Sequence, residues 1–101
     1  MKKDVSREKI KKAPDLTAFQ KKVLIAVAGI PEGKVRSYAW VARKAGYPRA
    51  SRAVGQALKK NPYAPHVPCH RVVASDGSIG GYSRGVTEKK KLLEKEGIKW
   101  S

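Results

Sequence analysis

The chain has 101 residues, which is one small domain with little room for a deep cleft walled by two. Twenty-three Lys and Arg against eight Asp and Glu give a formal net charge of +15, favouring a polyanionic partner whose phosphates release counterions on neutralisation. A single cysteine excludes an internal disulfide and a cysteine-rich zinc site, and the longest apolar run, Val23 to Ile30, is too short to span a membrane.

Residues 1–14 read as a flexible basic arm, with Lys2, Lys3, Arg7, Lys9, Lys11 and Lys12 before Pro14. Such a charge run is a solvated segment that adds phosphate attraction. No apolar stretch of the signal-peptide kind opens the chain, so a cytoplasmic protein is expected. The folded domain is then expected over residues 15–101.

Thr17 and Gln20 have capping-box spacing, and Phe19, Val23, Ala26, Val27 and Ile30 recur on one helical face. Gly29, Pro31 and Gly33 end that helix in a turn. Ser37 is the next N-cap, opening a short helix that buries Tyr38, Val41, Ala42 and Ala45 and stops at Gly46. A third helix is predicted over 49–59, packing Ala50, Ala53, Val54, Ala57 and Leu58. Two short helices across a glycine turn are a helix-turn-helix pattern.

Within the third helix, Arg52 stands among Ala50, Ser51, Ala53 and Gly55. Small neighbours let a helix approach a duplex closely, although phosphate contact is the commoner fate of such an arginine. Arg49, Lys59 and Lys60 take that plainer reading. Pro62, Pro65 and Pro68 exclude regular helix from 61–68. Val72 to Ala74 suit a short strand, Asp76-Gly77 a turn, and 80–85 a flexible loop. Thr87 is the predicted cap of a last helix running to Glu96, with Leu92 and Leu93 inward and Gly97 as its stop. The fold class is mainly α: a winged-helix-like helix-turn-helix domain with a short strand or wing element.

The chemistry concentrates in Pro68-Cys69-His70-Arg71-Val72-Val73. A lone buried cysteine is ordinarily a small hydrophobe. A thiolate is the reactive form, however, and neighbouring cations favour it. A nucleophile needs a base in reach and an orienting group behind that base. His70 is adjacent in sequence, which does not ensure that the two side chains face each other; a bridging water closes such a gap. His66 is the only competing histidine. Asp76, Glu88, Glu94 and Glu96 are the downstream carboxylates, and spacing alone does not choose among them.

These motifs together resemble the DNA-binding and catalytic domain of the O6-alkylguanine-DNA alkyltransferases. The matching blocks are Ile30-Pro31-Glu32-Gly33-Lys34-Val35 with Ser37-Tyr38, Arg52-Ala53-Val54-Gly55, Asn61-Pro62, the Cys69 hexapeptide, and Gly80-Gly81-Tyr82-Ser83 leading to Leu92-Leu93 and Glu96-Gly97. They run in the family's order over residues 17–98. The resemblance implies irreversible, single-turnover transfer of an alkyl group from guanine O6 in duplex DNA to Cys69, without cofactor or metal.

By the same resemblance His70 is the base acting through a water, Glu96 orients it, and Asn61 ties the helix-turn-helix to the active-site loop. Tyr38 presses on the phosphate beside the target, and Arg52 fills the space left by the flipped base. Tyr82 and Ser83 line the alkylguanine pocket, and the Val72 carbonyl reads the base's exocyclic amine. Ala50, Ser51, Gly55 and Arg71 join the DNA contacts. A monomer bound to lesion-containing duplex DNA is expected, with no membrane partner. Typical members carry a further N-terminal domain, and a short basic arm is expected in its place. The alternative is a noncatalytic alkyltransferase-like protein that binds the lesion and recruits excision repair; such proteins usually have tryptophan at the cysteine position.

Overall fold

Among the residues that the computed structural model describes, 7–60, 67–82 and 85–99, five α-helices surround a two-stranded sheet. Thr17 opens α2 (Ala18–Ala28) as a complete capping box. Its hydroxyl accepts the Gln20 amide at 3.1 Å, and the Gln20 side chain accepts the Thr17 amide at 2.8 Å. Two of the orphan donors at the helix start are thereby satisfied. Val23, Leu24, Ala26 and Val27 form the buried face of α2, which continues into Ile30.

Ser37 caps α3 (Tyr38–Ala45) by accepting the Trp40 amide at 3.0 Å. Gly46 ends it at φ +94°, a left-handed position where a side chain costs roughly 1 kcal/mol or more. The Tyr47 amide then reaches back to the Ala42 carbonyl at 2.8 Å. Helix α4 (Ser51–Lys59) starts two residues later than the sequence suggests. Arg49 and Ala50 belong to a turn, because the Ala50 amide donates to the Tyr47 carbonyl at 2.9 Å.

Helices α2, α3 and α4 enclose the core, where Val41, Ala42, Val54, Ala57 and Leu58 meet the buried face of α2. Strands β1 (Arg36–Ser37) and β2 (Val72–Val73) pair in parallel, Arg36 opposite Val72 and Ser37 opposite Val73. Two residues carry no readable period, so the sequence shows β2 without its partner. The pairing matters because it lays the start of α3 beside the cysteine-bearing segment.

Two expectations are corrected. Residues from Arg7 onward are not a free arm: Arg7–Lys11 form α1, which packs on α2. Ile10 is wholly buried and Ala13 nearly so, while Lys21 Nζ donates to the Lys11 carbonyl at 2.8 Å. Just past the helix the Ala13 amide turns back onto the Ile10 carbonyl at 3.2 Å, and burying the two apolar side chains outweighs the charge run around them. Thr87 is not a cap either. Helix α5 (Val86–Lys95) begins after Gly85, whose carbonyl accepts the Lys89 amide at 3.1 Å. At its far end the Ile98 amide bonds the Leu93 carbonyl at 3.0 Å and the Gly97 amide that of Glu94 at 3.0 Å. This closing motif holds Glu96 at the helix terminus, facing inward. Leu93 is fully buried; Leu92 is only half-buried.

Candidate active site

Cys69, His70 and Arg71 form a single 3-10 turn immediately before β2. The turn is pinned by the Cys69 amide on the Val67 carbonyl at 2.8 Å and the Arg71 amide on that of Pro68 at 2.9 Å. Cys69 is 4 % exposed and His70 2 %. Residues 61–66, including Asn61, lie outside the described residues, as do Ser83 and Arg84.

Of the four downstream carboxylates it is Glu96 that reaches the histidine, with His70 Nε2 2.8 Å from Glu96 Oε2. Arg71 grips the same carboxylate in a fork, Nε to Oε1 at 2.9 Å and Nη2 to Oε2 at 2.8 Å. Its Nη1 donates to the Ile30 carbonyl at 2.7 Å, and the Gly33 amide adds a longer bond to Oε1 at 3.4 Å. The loop after α2, the 3-10 turn and the end of α5 are thus tied at one carboxylate. Such bidentate, charge-assisted pairs are among the stronger hydrogen bonds.

Burial pushes the Glu96 carboxyl up, but hydrogen bonds from Arg71, His70 and Gly33 together with the Arg71 charge outweigh it and leave it at about 2. Burial also holds His70 below its ordinary 6.5, against the opposing pull of Glu96. At neutral pH the pair is therefore a carboxylate and a neutral imidazole. Because an ionised carboxylate only accepts, Nε2 carries the ring proton and Nδ1 presents a lone pair. Nδ1 is buried and has no hydrogen-bond partner among the described residues.

A second buried cation lies close by. Lys89 is fully buried on α5, with Nζ donating to the carbonyls of Val72 at 2.7 Å and Gly81 at 3.0 Å. Burial lowers its ammonium to about 8, while the charge of Cys69 works in the opposite direction. The coupling is mutual, so the ammonium favours a thiolate at Cys69.

Cys69 opens onto a cavity of about 280 Å³ lined by Tyr38, Ser51, Arg52, Gly55, Gln56, Leu58, Lys59, Gly81 and Tyr82. Helix α4 therefore supplies one wall and the loop after β2 the other. Gly80 lets that loop approach closely: at φ +75°, an added Cβ meets Tyr38 Oη at 2.9 Å. Burial raises the Tyr38 hydroxyl above 10, offset in part by a backbone hydrogen bond to Gly81.

Six predicted site residues share this cavity: Cys69, Tyr38, Ser51, Arg52, Gly55 and Tyr82. Ala50 caps α4 without lining it, and Val72 lies buried behind it with its carbonyl on Lys89. Arg71 is a correction. Expected among the DNA contacts, its side chain is 15 % exposed and bonds Glu96 and Ile30, because a carboxylate only 11 % exposed needs a charged partner. The sequence did not single out Gln56 or Lys89, and it marked Leu58 only as core and Lys59 only as a phosphate contact, not as cavity wall. Arg52, Gly55, Gln56 and Lys59 follow i, i+3, i+4, i+7 spacing, the signal that would have extended the wall. Lys89 sits in a run of three lysines, yet it falls four residues before Leu93 and so shares the inward face. Among the described residues no three His, Cys, Asp or Glu side chains cluster to hold a metal, and no helix is long and apolar enough to cross a membrane.

A family model described as 6-O-methylguanine DNA methyltransferase, DNA binding domain, matches residues 18–98. The chain is 48 % identical over 88 residues to a methylated-DNA–protein-cysteine methyltransferase of Methanosarcina acetivorans, covering 87 % of this chain and 56 % of that protein. It spans about half the length of the curated relatives it matches. In structure it is similar to the Mycobacterium tuberculosis OGT solved in complex with DNA, with TM-score 0.78, 47 % identity, and coverage of 80 % of this chain and 50 % of that one. It is also similar to S. pombe Atl1 in complex with damaged DNA containing O6-carboxymethylguanine, with TM-score 0.72, 44 % identity, and coverage of 80 % and 77 %.

Proposed function

Because the chain belongs to the family of the 6-O-methylguanine DNA methyltransferase DNA-binding domain, we propose that it repairs O6-alkylguanine in duplex DNA by moving the alkyl group onto Cys69. The observation that carries this reading is the thiol of Cys69 at the wall of a base-sized cavity, with His70 beside it and Glu96 behind His70 at 2.8 Å.

A target atom inside a duplex is out of reach until its base leaves the stack, which costs a few kcal/mol and least for a badly paired lesion. Helix α4 supplies Arg52, exposed and flanked by small residues, to fill the space left behind. Tyr38 and Tyr82 flank the extruded base, the family resemblance assigns Ser83 to the O6 end of the pocket, and the Val72 carbonyl accepts from the exocyclic amine through the lone pair that Lys89 does not use. The family resemblance assigns Asn61 the link between the helix-turn-helix and this loop. The Cys69 proton passes through a water to Nδ1 of His70, whose imidazolium Glu96 stabilises. Sulfur then bonds the alkyl carbon as the carbon–O6 bond breaks, and those electrons return to the purine, which takes up one proton at its ring. Thiol and alkylguanine become thioether and guanine, so no cofactor is required and each molecule turns over once. The +15 net charge supplies sequence-independent affinity for the duplex. The chain acts as a monomer in the cytoplasm.

Incubation with a duplex carrying O6-methylguanine, followed by intact mass spectrometry, tests this. The expected gain is one CH2 on Cys69, absent in Cys69→Ala. A second reading, lesion binding without transfer, is favoured by the structural likeness to S. pombe Atl1, solved with damaged DNA. Tight lesion binding at unchanged mass would establish it in place of the first.

A further inference from the structure

On the far side of α3 from the active-site cavity lies a second groove of about 340 Å³. Trp40 and Lys44 line it, two and six residues after Tyr38, which at about 100° per residue puts them across the helix from that side chain. Ile25, Ala26, Ile30 and Ala45 give it an apolar floor, and its rim carries Lys22, Arg36 and Lys44 with no carboxylate in the lining.

Two of the rim cations are held in place by aromatic rings. The Arg36 guanidinium lies 5.3 Å from the Trp40 ring centre, and Lys22 Nζ lies 5.5 Å from that of Tyr47. Among the described residues none of the three rim cations pairs with a carboxylate. Cations ordered in this way lose little side-chain freedom on meeting an anion. A nucleic-acid base would need the face of Trp40 for stacking, and Arg36 already covers it. An apolar floor inside a basic rim instead suits a bulky apolar side chain flanked by carboxylates.

We propose that this groove docks a partner protein through an acidic segment that inserts one or two large apolar side chains. Its position leaves the α4 face open, so partner and DNA are held at once. The groove also reaches the active site, since Ile30 lines it and the Ile30 carbonyl holds Arg71, which grips Glu96. The inference does not depend on the alkyl-transfer reading.

The probe is a fluorescently labelled synthetic peptide with a Leu-Phe pair between glutamates, titrated by anisotropy into the full chain. Binding tighter than about 1 mM is expected, with at least about tenfold loss when Ser replaces the Leu-Phe pair. The double variant Lys22→Glu/Lys44→Glu should weaken binding about tenfold or more, whereas Lys90→Glu/Lys91→Glu, an equal charge change on exposed positions of α5, should alter it less than about threefold. Saturating undamaged duplex should leave the peptide bound. Equal losses in the two double variants, indifference to the apolar pair, displacement by duplex, or a Kd weaker than about 1 mM would each overturn the proposal.

Discussion

Replacing Glu96 by Gln tests the cluster on which the active site rests. The substitution keeps the shape and removes the charge. A glutamine offers one acceptor oxygen, and its amide nitrogen must face either Arg71 or His70, both of which donate to the carboxylate. The magnitude follows from acidity. The Glu96 carboxyl is held at about 2 against an ordinary 4.5, which at about 1.4 kcal/mol per pH unit is roughly 3 kcal/mol in favour of the folded state at neutral pH. For a domain of this size that loss lowers Tm by roughly 10–25 °C. The sign fixes the pH window. A depressed carboxyl contributes fully above about 4.5, and its contribution fades as pH falls toward about 2. Thermal melts of wild type and E96Q from pH 7 downward should therefore start far apart and converge in acid. Variant melts within a few degrees of wild type at pH 7, or a gap that stays constant below pH 4, would refute the reasoning.

Ile10→Ala should cost about 2–4 kcal/mol by denaturant unfolding, because Ile10 is wholly buried; a flexible arm would show no more than about 0.5 kcal/mol. Lys89→Met keeps the stem and removes the ammonium, so carboxamidomethylation of Cys69 at pH 7 should slow by about tenfold. The wild-type labelling profile should also carry an inflection near pH 8, where Lys89 loses its proton, that the variant lacks; matching profiles would remove Lys89 from the electrostatics of Cys69. Arg52→Ala should leave stability within about 0.5 kcal/mol, since the side chain is exposed, yet slow repair in duplex DNA more than reaction with free alkylguanine base. Equal losses on the two substrates would contradict a role in base extrusion.

Local chemistry decided much of this molecule in advance. Thr17 with Gln20, Ser37, Gly46 and Gly97 act within four or five residues of themselves, so helix starts and stops were legible from the chain. The apolar spacing of α2, α3 and α4 marked the core, and the Cys69 hexapeptide marked the chemistry. Errors arose where a local preference met a distant partner. Thr87 is an eligible cap, but Gly85 turns the chain earlier. Arg71 was expected among the DNA contacts, but its guanidinium bonds Glu96, 25 residues away.

Glu96 itself could not be chosen from Asp76, Glu88 and Glu94 by spacing, since only the closing turn of α5 brings its carboxylate to His70. The burial of Ile10 in a lysine-rich stretch, the parallel pairing of β1 with β2, and the burial of Lys89 against two backbone carbonyls belong to the same class. Sequence determines where a chain can bend, cap and bury. Which charge meets which across 25 residues of chain is decided by packing, because the energy of an ion pair depends on distance and burial, and these exist only in the folded state.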